Sequence, residues 1–282
     1  MSSVEIFYFS GTGNSLHVAK ELQKRNPDFV LSSIAAKTSS GMPKTNAEAI
    51  GFVFPIHYLT LPRIVTDFIT KLDLSDAQYI FAIGTRGGTP SNAFGDMDKL
   101  LKRKGKKLDA AFLLNMCEND MKFKGYITPT TEKIAERESA VLDKLGTIER
   151  VIRNREPSRE EDREILHPFS PALLKVMSVL TPLITKKERT EFFSDEKCTG
   201  CGTCAKVCLA NKIKMADNKP VWLKETPCYA CFACINYCPA QAVQVKSTPA
   251  LKSYTSVQGR YHHPAVTADG IAEQKLKGTG LT

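Results

Sequence analysis

"VEIFYFSGTGNSLHVAKELQKR", residues 4–25, passes from an apolar β-rich run into a loop of small residues and then into a segment with apolar side chains at 16, 19 and 22. That is a strand, a tight loop and an amphipathic helix. The pattern recurs. "DFVLSSIA" (28–35), "AIGFVFPI" (49–56), "QYIFAIGT" (78–85) and "LDAAFLLNM" (108–116) read as further strands. Between them, "LPRIVTDFITKL" (61–72) and "SNAFGDMDKLLKRKG" (91–105) read as helices, and a charged segment from Pro129 to Arg155 carries Ile134, Val141, Leu145, Ile148 and Ile152 at helical spacing. Five apolar strands alternating with helices predict an α/β fold with a doubly wound parallel sheet covered on both faces.

At 282 residues, with 42% apolar and 24% charged side chains, the chain has room for one large domain or two of unequal size, and it is no disordered class. The N-terminus "MSSVEIFYFSGTGNS" has no basic n-region and no long apolar core, so a cytoplasmic location is expected, where thiols stay reduced. The net charge of +9 is spread along the chain, with only "KRKGKK" (102–107) forming a run. A scattered surplus reads as a solvated face and not as a nucleic-acid surface, with steering of an acidic protein partner as the alternative. "LLKVMSVLTPLIT" (173–185) is the most apolar stretch, yet it contains Lys175 and lies between Pro171 and Pro182. It is too short to span a membrane, which takes about 20 apolar residues, and it reads as a helix packed between domains. The tail from 248 is polar, and its His262 and His263 read as surface residues.

The loop Ser10, Gly11, Thr12, Gly13, Asn14, Ser15 exposes backbone N–H groups and hydroxyls at a helix N-terminus, which stabilises a phosphate. A Walker loop would need Gly-Lys-Ser/Thr, and a dinucleotide fingerprint would need glycine where Leu16 stands. A monophosphate held without a cationic side chain remains.

Eight of the nine cysteines form two C-x2-C-x2-C-x3-C runs: Cys198, Cys201, Cys204, Cys208, and, 30 residues later, Cys228, Cys231, Cys234, Cys238. A zinc site takes four ligands as two pairs, and a third cysteine at a further two-residue gap has no place in it. The spacing is that of cubane iron–sulfur clusters, in which the fourth sulfur of each run ligates the other cluster. One [4Fe-4S] cluster is therefore expected on Cys198, Cys201, Cys204 and Cys238, and another on Cys228, Cys231, Cys234 and Cys208. The constant offset predicts two halves related by a pseudo-twofold axis. Leu209 departs from the pattern, standing where the second run has Pro239, and Cys117 reads as a buried core residue.

Residues 187–247 resemble the two-cluster bacterial ferredoxins, which implies two short hairpins, two short helices and one-electron transfer. Residues 1–155 resemble flavodoxin. Ser10–Ser15 match its phosphate loop, "PIHYLTLP" (55–62) stands at its first isoalloxazine loop and "GTRGGTPSN" (84–92) at its second. The resemblance implies strand order 2-1-3-4-5 and FMN bound by those six residues, by Pro55, Ile56, His57 and Tyr58, and by Gly84, Thr85, Arg86, Gly87 and Gly88. Tyr58 would stack on the ring, His57 would lie at its edge, and Arg86 would favour the reduced anionic flavin. The whole chain is similar to the flavodoxin-ferredoxin fusions called ferrodoxins, with a connector at 156–186 and a tail at 248–282. This implies an oxidoreductase-type electron carrier serving a redox protein. The alternatives are reduction of a small substrate (a quinone, nitro compound or disulfide) at the flavin and a redox sensor that docks on another protein, and no catalytic residue is marked beyond His57.

Overall fold

The computed structural model describes residues 4–38, 42–88, 91–160, 190–248 and 252–276. Strands β1 (Val4–Tyr8), β2 (Phe29–Ser33), β3 (Ala49–Pro55), β4 (Tyr79–Arg86), β5 (Ala110–Asn115) and β6 (Ser158–Arg159) form one parallel sheet in the order β2-β1-β3-β4-β5-β6. The first five follow the flavodoxin order 2-1-3-4-5. β3 and β4 are buried along almost their whole length, as strands covered on both faces must be. At Gly51 a Cβ would lie 2.3 Å from the Phe81 ring, so the missing side chain makes room for a core aromatic. Phe7 gathers Phe52 and Phe68 at ring distances of 6.0 and 5.0 Å.

Helix α1 (Asn14–Arg25) lies beside α5 (Thr131–Arg153), joined by Arg25 donating to the Leu142 carbonyl and by Arg153 paired with Asp28. A short α2 (Ile34–Thr38), α3 (Arg63–Lys71) and α4 (Ala93–Lys102) pack in succession on the other face. β6 was not legible: its two residues lie in the polar run read as the start of the connector. Pairing with β5 holds it there, and Glu160 accepts the Leu113 N–H at 2.9 Å and Lys144 Nζ at 2.7 Å. The apolar 173–185 segment lies outside the described residues.

The cysteine-rich region folds as an antiparallel pair, β7 (Phe192–Ser194) with β10 (Val243–Val245), a hairpin β8 (Ile213–Ala216) with β9 (Lys219–Trp222), and two single-turn helices, α6 (Thr203–Lys206) and α7 (Ala233–Asn236). Its backbone repeats itself. Gly200, Gly202 and Asn211 have φ of 74°, 77° and 50°, and their equivalents Ala230, Phe232 and Gln241, each 30 positions on, have 51°, 56° and 49°. Left-handed backbone is costly for non-glycine residues, so the recurrence reflects a shared constraint on the two loops.

Two cores tie the regions together. The sheet's core takes in Val207, Leu209, Ala233 and Tyr237 from the cysteine-rich region, and Val266 and Ile271 from the tail, where helix α8 (Ala268–Glu273) lies. The smaller core takes Met121 and Tyr126 from the segment after β5. The departure at position 209 now has a reason. Leu209 is buried in the shared core, whereas Pro239, its equivalent, is exposed. Leu209→Ala is expected to cost about 2–5 kcal/mol in denaturant unfolding, and Pro239→Ala under about 1 kcal/mol.

Candidate functional site

The eight cysteines line two cavities, and each cavity draws from both runs. One is lined by Cys198, Cys201, Cys204 and Cys238, the other by Cys208, Cys228, Cys231 and Cys234. The electrostatics divide the same way. Burial, and then the thiols of Cys238, Cys201 and Cys198, push Cys204 up to about 11. Cys234 is pushed well above the usual thiol range by burial, with Cys231, Cys228 and Cys208 of its own cavity adding most and Cys204 of the other adding less. Backbone amides point at the sulfurs with the same periodicity: Lys212 N–H donates to Cys208 Sγ at 3.3 Å and Ala242 N–H to Cys238 Sγ at 3.2 Å. Four soft donors with amide bonds to sulfur suit an iron–sulfur cluster in each cavity.

The cavities differ in their surroundings. Cys201 is exposed, and its cavity opens beside Thr199, Gly200 and Pro220. The other is walled by Phe192, Leu209, Trp222 and Phe232, and its cysteine loop rests on the carboxyl edge of the sheet. There the Tyr229 ring meets Phe9 edge-on at 6.1 Å, and a Cβ on Gly11 would lie 2.2 Å from the Cys231 carbonyl oxygen.

Gly11 belongs to the loop 10–15, all of which is buried. Ser10 Oγ accepts the Gly13 N–H (3.1 Å), Ser15 Oγ shares a hydrogen bond with Thr85 Oγ1 (2.8 Å), and Asn14 Nδ2 donates to the Cys117 carbonyl (3.1 Å). Gly13, at φ 99°, turns the chain into α1. The backbone N–H groups of Gly11, Thr12, Asn14, Ser15 and Leu16 meet no acceptor among the described residues. Buried amides are nearly always paired, so this set is the chemistry of an anion cradle. The other two predicted loops lie on the same edge. Ile56 N–H donates to the Thr85 carbonyl (2.8 Å), which ties 55–58 to 84–88, and Ile56 packs on Gly84. Pro55 ends β3, and a Cβ on Gly87 would meet Glu118 at 2.8 Å. Gly88, at φ 112°, faces open space. Arg86 Nε donates to Asn115 Oδ1 at 2.8 Å.

The strand order defines the first half of the chain, and residues 191–239, which hold all eight cysteines, match the family model of the 4Fe-4S dicluster domain. The chain joins a flavodoxin-type sheet to a 4Fe-4S dicluster domain. Among solved structures it is similar to a protein described as a flavoprotein from Bacteroides eggerthii, at 20% identity and TM-score 0.36, over 52% of this chain and 98% of that one. It is also similar to the flavodoxin of Megasphaera elsdenii, at 18% identity and TM-score 0.32, over 50% of this chain and 98% of that one. No curated protein sequence matches the chain. Among the described residues no helix is long and apolar enough to cross a membrane.

His57, in the loop after β3, is half-buried and meets the Phe9 ring edge-on at 6.2 Å. Burial, and then the charge of Lys122, push its pKa down to about 4. An imidazole that is neutral in the fold and near 6.5 in the unfolded chain lets the unfolded state bind more protons between those values. Its contribution to stability is complete above about pH 6.5 and is lost as pH falls toward 4. Glu118 and Asp120, whose pKa values burial raises, work in the opposite direction. A melting series from pH 7 to 4.5 is expected to fall less steeply in His57→Gln than in the parent chain.

Lys122 was not found by the sequence reading. It is 4% exposed, its Nζ lies 3.2 Å from the Tyr58 hydroxyl and 3.5 Å from Asp120, and it stands over the rings of Tyr58, Phe123 and Phe232 at 5.0, 5.3 and 4.8 Å. The region thus has a buried cation between the loop after β3 and the cysteine loop. Asn119 was also missed: its Nδ2 donates to Thr12 Oγ1 and its carbonyl accepts from Asn236. Both follow β5 at the carboxyl edge, a position that the rule for open α/β sheets marks out. The histidine reading needs correction. His263 is buried, and His262 stacks on Tyr237 at 4.2 Å, because the tail folds back over the loop 10–15.

Proposed function

We propose that this chain is an electron carrier with two [4Fe-4S] clusters and FMN. Cys198, Cys201, Cys204 and Cys238 would ligate one cluster, and Cys228, Cys231, Cys234 and Cys208 the other. The six residues of the loop 10–15 would take the flavin phosphate, and Pro55–Tyr58 with Gly84–Gly88 would take the ring. When bound, the clusters exchange single electrons and the flavin one or two.

One observation carries the reading: the second cysteine loop touches the loop 10–15, with Cys231 against Gly11. The Cys198–Cys204 loop is exposed at Cys201 and suits exchange with a redox protein, and the Cys228–Cys234 loop, which packs on Gly11, suits exchange with the sheet edge. The basic surplus of the chain favours an acidic partner. Fusion holds the two carriers at high effective concentration. His57, uncharged near pH 7, is a weak proton donor, so reduction of a small molecule gains little support from it.

Anaerobic reconstitution followed by stopped-flow reduction tests the proposal. The flavin band is expected to bleach in a phase whose rate does not change with protein concentration. A flavin phase that scales with concentration, or an extract free of flavin, rejects it.

A further inference from the structure

The tail from Tyr254 to Leu276 lies against the loop 10–15 and takes up its outward-facing polar groups. Gln274 makes a two-point bond to Ser10, with Oε1 accepting its N–H at 3.0 Å and Nε2 donating to its carbonyl at 2.9 Å. Gln274 is fully buried. The His263 N–H donates to the Thr12 carbonyl at 2.8 Å, and the Tyr261 hydroxyl donates to Asn14 Oδ1 at 3.0 Å. Gly13 is free of a side chain where a Cβ would lie 2.9 Å from both His263 and Val266. The carbonyls of Ser10, Thr12 and Gly13 are therefore bonded, while the amides of Gly11 and Thr12 and those of Asn14, Ser15 and Leu16 in the first turn of the 12-residue α1 keep no acceptor among the described residues.

A clasp holds this tail in place. His17 Nε2 and His263 Nε2 meet the two oxygens of Glu138 at 2.6 and 3.2 Å, with the rings stacked at 4.0 Å. The same three side chains have the composition of a metal site. The contacts favour a hydrogen-bonded clasp instead. His263 Nδ1 accepts the Ala265 N–H at 3.3 Å, so Nε2 carries the proton and donates to the carboxylate.

We infer that the tail completes the phosphate site: Gln274, His263 and Tyr261 are positioning residues that fix the loop in the conformation whose amides receive a terminal phosphate monoester. This rests on the reading that the loop takes a flavin monophosphate. Pre-set donors spend no binding energy on ordering, so loosening them weakens the contact to phosphate and leaves contacts to the ring alone.

The test titrates the full chain, with its clusters intact and its flavin removed, with FMN and with riboflavin, which lacks the phosphate. Flavin fluorescence gives both affinities. Gln274→Leu is expected to weaken FMN about tenfold and to leave riboflavin within about twofold. Tyr261→Phe, which removes one hydroxyl and preserves the packing, is expected to show the same pattern at smaller size. Iron content per chain reports folding. If the parent chain does not prefer FMN over riboflavin, the flavin-phosphate reading fails and the inference with it. If the parent prefers FMN and both variants keep that preference, or lose both ligands equally, the inference alone is overturned.

Discussion

Cys238→Ala is expected to remove about half of the iron and acid-labile sulfide, and the half removed belongs to the first cysteine run. Cys238 follows Cys228, Cys231 and Cys234 in sequence, yet it shares its cavity with Cys198, Cys201 and Cys204. The single turn of α7 carries it past its own loop, and the Ala242 N–H donates to its sulfur at 3.2 Å on the far side. Cys208→Ala, its counterpart 30 positions earlier, is expected to empty the other cavity. Iron and sulfide analysis gives the amounts, and the electron paramagnetic resonance of the reduced variants shows which cluster signal is missing. Ligation within each run would exchange the two outcomes. The two losses are also expected to differ in stability. The Cys208 cavity is walled by Phe192, Leu209, Trp222 and Phe232 and borders the shared core, so its cluster fills a space that side chains cannot. The Cys198 cavity opens at the exposed Cys201. Cys208→Ala is therefore expected to melt at the lower temperature of the two.

How much of this was legible follows from the range of each signal. The strand–loop–helix of residues 4–25 is written in consecutive side chains, and β1, the loop and α1 appear where the pattern puts them. The cysteine spacing is equally local, since each cubane takes three of its ligands from seven consecutive positions. The grip of Gln274 on Ser10 spans 264 positions and leaves no local trace, because one glutamine in a polar tail looks like any other. Lys122 was hidden for a related reason. A lone lysine in a loop reads as solvated, and only the fold supplies the three rings and the carboxylate that bury it. Leu209 carried a signal of a different kind. Its departure from the repeat was visible, and its burial against the sheet explains it.

Gly11→Ala is the second large expected effect, because it strikes where the two halves of the chain touch. A Cβ there would lie 2.2 Å from the Cys231 carbonyl oxygen, 2.7 Å from its Cβ and 3.0 Å from its carbonyl carbon. Two of those atoms are backbone, in a loop already held by the left-handed φ of Ala230 and Phe232, so no flexible side chain can yield. Gly11 itself is absent from the positive-φ residues, and alanine there meets no backbone penalty of its own. Overpacking of this kind costs about 1–3 kcal/mol. Gly125→Ala, at an exposed glycine with nothing within 4 Å and no positive φ, is the matched control and is expected to be neutral. The two origins of a loss can be separated. Iron content is expected to stay at the parent level in Gly11→Ala, since no ligand is removed, while the concentration-independent flavin phase that the proposed function calls for slows because the cysteine loop is pushed off the loop 10–15. Equal melting temperatures and equal flavin phases in the two variants would show that Cys231 and Gly11 are not in contact, and the route from the buried cysteine loop to the sheet edge would lose its support.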